Sequence, residues 1–263
     1  FSLPPPIKLI QSNIWRRCPK KGVPYRPVEK NMSLISLAQK NNLPEHQFMD
    51  TATIEWIVKN MPSFENKRKN IVLSTDEVNL VKKYIPPQDW FLDEKRFNSI
   101  HGIKHSLRVA IYALKLQKKV NLSLIIAAIL HDTRRLNDKN DPHHGRRAAF
   151  WFLNNVPKIT DKFNINLSKY DIKKIHDIIL YHDVPFDDIN SDIFNCVNIL
   201  KTADALDRYC QPKLKWWIRD DFLVFKPTED MKFFSYNLVV ESERIAISGV
   251  DNIESVFYAI KKL

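Results

Sequence analysis

Only four glycines, Gly22, Gly102, Gly145 and Gly249, are spread through 263 residues, where ordinary usage is about 7%. A P-loop or a dinucleotide-binding turn needs clustered glycines so that the backbone can approach phosphate. Neither can be built here. Scarce glycine and long periodic segments together favour an all-α fold.

The clearest periodic stretch is 103–119, where Leu107, Ala110 and Leu114 recur at helical spacing. Residues 122–131 read as a short helix that is apolar nearly all round and therefore buried. Further helices are expected at 145–154, 168–182 and 191–209, each bounded by polar residues or proline. Shorter ones are expected at 54–59 and 76–84, the second stopping ahead of Pro86 and Pro87. Residues 1–30 are proline-rich and read as an extended arm or irregular cap. The tail from Gln211 carries Trp216, Trp217 and a mixed apolar pattern, and ends in a helix near 253–262.

Hydrophobic residues at 44% and charged residues at 27% suit a soluble globular protein. The longest aliphatic run, 124–130, has seven residues, whereas a membrane span needs about 20, so no membrane association is expected. The first ten residues lack a signal-peptide layout. Cys18, Cys196 and Cys210 are odd in number and widely spaced, which suits packing residues in a reducing, cytoplasmic setting. Net charge is +11, concentrated in two regions: residues 1–30 carry seven Lys/Arg against Glu29, and residues 101–150 carry ten against Asp132, Asp138 and Asp141. Such regions suggest an anionic partner, either a phosphate-bearing small molecule or nucleic acid; a solvated basic face is the plainer alternative.

Seven of the eight histidines lie between 101 and 182, a clustering that packing alone does not explain. The sharpest local signal is the apolar helix that ends in His131-Asp132. A charge cannot be buried without a partner, and a divalent cation would turn both groups into ligands. A helix end open to water is the other reading. Imidazole suits Mn, Fe, Ni or Zn, and carboxylate tolerates the harder of these. Upstream, His101, His105, Arg108 and Tyr112 share one helical stripe. Downstream, Asp204 sits in an apolar helix with Val197, Leu200 and Leu206 and is a natural further ligand, unless it pairs with Arg208 one turn on. Asp207 reads as the less buried candidate.

His105, then His131-Asp132, then Asp204 resembles the H…HD…D pattern of the HD superfamily of metal-dependent phosphohydrolases. The dipeptide alone says little, since His176-Asp177 and His182-Asp183 repeat it. Its context carries the resemblance: His105-Ser106-x-Arg108-Val109, the apolar helix before His131, and Ala203-Asp204-x-Leu206. The matching stretch runs from about His101 to Arg208, under half of the chain.

The resemblance implies an HD-type helical core at 101–210, an N-terminal arm and helical cap at 1–100, and a C-terminal helical extension at 211–263, packed as one domain. It also implies one or two divalent ions (Mn, Fe, Ni, Mg or Zn). Asp132 would bridge them, His105, His131 and Asp204 completing one site and His144 and His182 the other. His144-Gly145, with Ala148 beyond, resembles part of the ligand set of two-metal members, and so does His182, with His176 as its rival. His101 and His143 are expected outside the ligand set, and His46 has no supporting context.

One position departs from the pattern. Some family nucleotidases carry glutamate three residues after the HD aspartate, where this chain has Arg135, preceded by Arg134. A guanidinium there suits bidentate phosphate binding; a surface Arg pair beside Asp138 is the alternative.

The expected activity is hydrolysis of a phosphoester or phosphoanhydride, nucleotide-type, by water activated at the metal. Asp132, Arg135 and Arg108 would be catalytic, and Arg134, Arg135, Arg146 and Lys201 would bind substrate phosphate. Two alternatives stay open. One is a di-iron oxygenase of HD type. The other is a nucleic-acid-binding protein or nuclease that uses the basic arm, where Arg16, Arg17, Lys20, Lys21 and Arg26 alternate with Trp15 and Tyr25.

Overall fold

The computed structural model describes residues 32–65, 71–185 and 192–263, and no strand occurs among them. The basic arm, with its proposed nucleic-acid contacts, and Cys18 lie outside the described residues. Polar caps start the first helices. Ser33, Asp50 and Ser74 accept backbone N–H groups from the first turns of α1 (Leu34–Gln39), α2 (Thr51–Lys59) and α3 (Thr75–Lys83). Helix α4 (Glu94–Asn98) is capped by Asp93. The helices that follow are α5 (Ile103–Leu116), α6 (Leu122–Leu130), α7 (His144–Asn154), α8 (Val156–Phe163), α9 (Lys169–Tyr181) and α10 (Asp192–Leu206). The last continues into a 3-10 turn, Asp207–Cys210. After two more 3-10 turns come α11 (Glu229–Ile247) and α12 (Asn252–Lys262).

Helix α5 is the hub. Every residue from Ile103 to Leu114 is buried, because α6, α10, α11 and α12 all pack on it. Helix α6 is buried from Ser123 to Leu130, as its apolar composition predicts. Leu107 and Ile111 of α5, Ile126 and Ile129 of α6, Ile175 of α9 and Leu200 of α10 belong to one core, each worth about 1.5–3 kcal/mol when fully buried. A second cluster joins Leu34, Ile54 and Ile57 of the N-terminal helices to Tyr236 and Val239 of α11 and to Trp217. Residues Met32–Leu263 accordingly form one compact unit.

Helix α11, the longest among the described residues, carries no clear signal in the sequence. Phe234, Leu238 and Ile245 face the first core, whereas Tyr236, Val239 and Val240 face the second. Burial on two sides removes the single apolar stripe by which an amphipathic helix is read. Helix α8 was likewise not anticipated, and α5 stops at Leu116 rather than continuing to 119. No helix among the described residues is long and apolar enough to cross a membrane. Cys196 and Cys210 are free and buried.

Candidate metal centre

Four imidazoles converge from four helices. His105 lies in the first turn of α5, His131 directly follows α6, His144 opens α7 and His182 directly follows α9. Three of them anchor Nδ1 on a carbonyl one turn back or in the preceding loop: His131 on Ala128 at 2.8 Å, His144 on Asp141 at 2.6 Å and His182 on Ile179 at 2.6 Å. A carbonyl oxygen only accepts, so Nδ1 carries the hydrogen and Nε2 of the neutral ring is a bare acceptor. His105 reaches the same state differently, with Nδ1 2.8 Å from Oδ2 of Asp207.

The bare nitrogens then meet in pairs. Nε2 of His105 and His131 lie 3.1 Å apart, and those of His144 and His182 lie 2.9 Å apart. Two such nitrogens at that distance need a shared proton or a cation between them. The spacing suits a metal, because adjacent ligands held at about 2.1 Å from one ion stand roughly 3.0 Å apart in octahedral and roughly 3.4 Å apart in tetrahedral coordination.

Asp132 lies between the pairs. Its Oδ2 is 3.5 Å from Nε2 of His105, and its Oδ1 is 3.1 Å from Nε2 of His144. Two buried groups that could hold a metal ion share it: His105, His131 and Asp132, and Asp132, His144 and His182. Asp204 adds a carboxylate to the first, with Oδ1 3.3 Å from His105 and 3.8 Å from His131. Its side chain is 28% exposed, so this is the side of the cluster open to solvent. These donors fit one divalent ion in each group.

Comparison of the chain with protein-family models, with curated proteins and with solved structures gives no match.

The charged groups of the cluster shift one another strongly. Burial pushes the Asp132 carboxyl up, but Arg135 and the surrounding histidines outweigh it and hold it well below the usual carboxylate range. Burial lowers His105, yet its bonds to Asp204 and Asp207 dominate and push it up to about 10. His182, buried beside His144 and His131, is held well below the ordinary imidazole value.

Behind His105, Arg108 grips Asp207 with Nε at 2.6 Å and Nη2 at 2.9 Å, and reaches Glu243 of α11 with Nη1 at 2.8 Å. All three side chains are fully buried. This corrects the sequence reading twice. Arg108 is committed to two internal carboxylates and does not line the cleft, and Asp207 is more buried than Asp204 because it supports a ligand from behind.

Two of the scarce glycines sit where backbone and site must approach closely. A Cβ on Gly145 would lie 2.7 Å from Oδ1 of Asp183 and 2.9 Å from the His182 ring. One on Gly102, just before α5, would lie 2.1 Å from the Phe97 carbonyl.

His105, His144, His182 and Asp204 line a cleft of about 910 Å³, whereas the fully buried His131 and Asp132 are not part of its lining. Arg135 lines it, with Nη1 3.2 Å from Oδ2 of Asp132, while its other nitrogens donate to the carbonyls of Asn137 and Lys139. Lys201 also lines it and donates to the Val184 carbonyl. Arg134 and Arg146 are absent from the lining. Arg134 lies over the Trp151 ring at 4.6 Å, and Arg146 is exposed on α7. The structure does not bring these two to the cluster. His176 bonds Asp177 rather than joining it, His143 is exposed, and His46 contacts Arg96. His101 faces the cleft with Nδ1 2.9 Å from Asp138, which Arg96 also holds at 2.8 Å. The supporting roles of Asp138, Arg96 and Glu243 had no sequence signal beyond their charge, whereas Asp207 was visible three residues after Asp204.

Proposed function

We propose that this chain is an HD-type metal-dependent phosphohydrolase that acts on a phosphoester or phosphoanhydride of nucleotide type. One observation carries the reading: two pairs of imidazole nitrogens flank a shared carboxylate, Asp132, and His105, His144, His182 and Asp204 of this cluster line a cleft edged by cations. The His105, His131, Asp132 and Asp204 side chains would hold one divalent ion, and Asp132, His144 and His182 a second. Divalent ions so placed lower the pKa of water and neutralise charge on a phosphoryl group.

The chain's own residues do the rest. Asp207 keeps the His105 proton on Nδ1, so that Nε2 stays available as a ligand. Arg135 stands against Asp132 with its guanidinium at the cleft wall, where it can donate to substrate oxygens that gain charge during reaction. Lys201 adds a second positive charge on the α10 wall. The Asp138-bonded His101 presents an oriented imidazole beside them. These cations favour a phosphate substrate over the small-molecule oxidation expected of a di-iron relative.

Metal analysis of protein purified without chelators, followed by a screen of nucleotides for phosphate release, tests the reading. Two equivalents of metal and release from at least one nucleotide are expected. Metal-free protein without hydrolytic activity would overturn it. Coloured, iron-loaded protein that consumes oxygen and releases no phosphate would transfer the site to the oxygenase class.

A further inference from the structure

The cleft is larger and more cationic than one phosphoryl group requires. Its volume of about 910 Å³ falls near the top of the range of roughly 300–1,000 Å³ that takes ligands of nucleotide size. Along its α10 wall, Lys201, Asp204, Ala205 and Arg208 all line the cleft. They follow the i, i+3, i+4, i+7 spacing of one helical stripe, continued into the 3-10 turn. Lys201 therefore stands about one turn before the candidate ligand Asp204, and Arg208 about one turn after it. The small Ala205 between them keeps the stripe open. Arg208 is exposed and does not pair with Asp204, so its guanidinium remains available to an anion.

The wall opposite in sequence, the segment after the 3-10 turn, brings a different chemistry. Phe222 lines the same cleft and is 75% exposed, which leaves its ring accessible to a ligand. Arg219, also in the lining, lies over that ring at 4.9 Å. Arg219 is steered only weakly by Asp221, at 3.4 Å between exposed side chains. A cation seated on one part of an otherwise open aromatic ring is a ready platform for a further flat ring.

Resting on the phosphohydrolase reading, we infer that the substrate is a mononucleotide with more than one phosphate group, its base stacked on Phe222 beside Arg219 and its phosphate beyond the scissile one held by Arg208. The two features argue for this class together. Arg208 and Lys201 answer charge on either side of Asp204 along the α10 stripe, and Phe222 answers a base. A single cleft of this volume accommodates one such molecule.

Binding to the full, metal-loaded chain tests this with three probes: a non-hydrolysable nucleoside triphosphate, the matching nucleoside monophosphate, and inorganic tripolyphosphate. Titration calorimetry should give the triphosphate nucleotide the tightest binding. Phe222→Ala should weaken it about 5-fold or more through lost stacking, leave tripolyphosphate unchanged, and be rescued by Phe222→Trp. Arg208→Ala should weaken both polyphosphates about tenfold and the monophosphate little. Equal binding of the triphosphate nucleotide by wild type and Phe222→Ala would overturn the stacking site. An unchanged preference for triphosphate over monophosphate in Arg208→Ala would overturn the phosphate assignment. Wild-type protein that binds the nucleoside monophosphate as tightly as the triphosphate and releases phosphate from the monophosphate would overturn this inference and leave the phosphohydrolase reading standing. Protein without metal or any phosphate release would overturn both.

Discussion

Oδ2 of Asp207 lies 2.8 Å from Nδ1 of His105, and that single contact fixes which nitrogen of His105 faces the His/Asp cluster. The three other imidazoles use backbone carbonyls for this purpose, with Oδ2 of Asp183 a further 3.2 Å contact of His144 Nδ1. A carboxylate is the stronger partner and raises the basicity of the ring. It must itself be held, because Asp207 is fully buried, and Arg108 holds it with two hydrogen bonds. His105, Asp207, Arg108 and Glu243 therefore form one chain of contacts from the cluster to helix α11.

Replacing Asp207 by Asn should lower metal affinity by about 10- to 100-fold, the usual cost of losing a carboxylate behind a histidine ligand. Equilibrium dialysis against a metal buffer measures it. The loss should appear in the ion that shares His105, with the His144–His182 site retained.

Arg108→Met is expected to destabilise the fold by about 3–5 kcal/mol, because the buried Asp207 and Glu243 both lose their guanidinium partner and keep only His105 and Lys104. Urea denaturation of the variant gives the number. Adding Asp207→Asn and Glu243→Gln should recover part of the loss, since the stranded charges are then gone.

Metal stoichiometry should fall from two ions to one in His144→Ala and to little or none in Asp132→Ala, because the second residue serves both groups. Gly145→Ala should mimic His144→Ala, since the new methyl must displace Asp183 or His182. Elemental analysis of the purified variants distinguishes these outcomes.

Arg135→Ala should reduce phosphate release by about 10- to 150-fold, the worth of one charge-assisted hydrogen bond, with metal content preserved. Steady-state rates on the best nucleotide, beside elemental analysis, separate this role from a purely structural one.

Acid should destabilise the protein through its buried carboxylates. Burial pushes Asp138 up, but His101 and Arg96 outweigh that and hold it below its ordinary value of 3.8; Asp207 is likewise lowered, against burial, by Arg108 and His105. A carboxylate with a depressed folded-state pKa contributes stability that is full above its unfolded value. That contribution is lost as pH falls through the depressed one. Stability should thus hold down to about pH 4 and decline below it, and Asp138→Asn should flatten the decline in thermal melts recorded at successive pH values.

The sequence by itself determined the helical core and most of the ligand candidates. Leu107, Ala110 and Leu114 mark α5, and the run before His131 marks α6, because apolar spacing and capping act within one or two helical turns. The same locality made His131-Asp132 legible, since adjacent residues stay adjacent in any fold. Tertiary structure decided which charged groups serve the cluster. Glu243 meets Arg108 across 135 residues of chain, and Asp138 meets His101 across 37. Arg108 shared a stripe with His105 in the sequence, yet only the packing of α10 and α11 against α5 turned it inward to two carboxylates. Partners of this kind are selected by how helices cross, and no local spacing encodes a crossing.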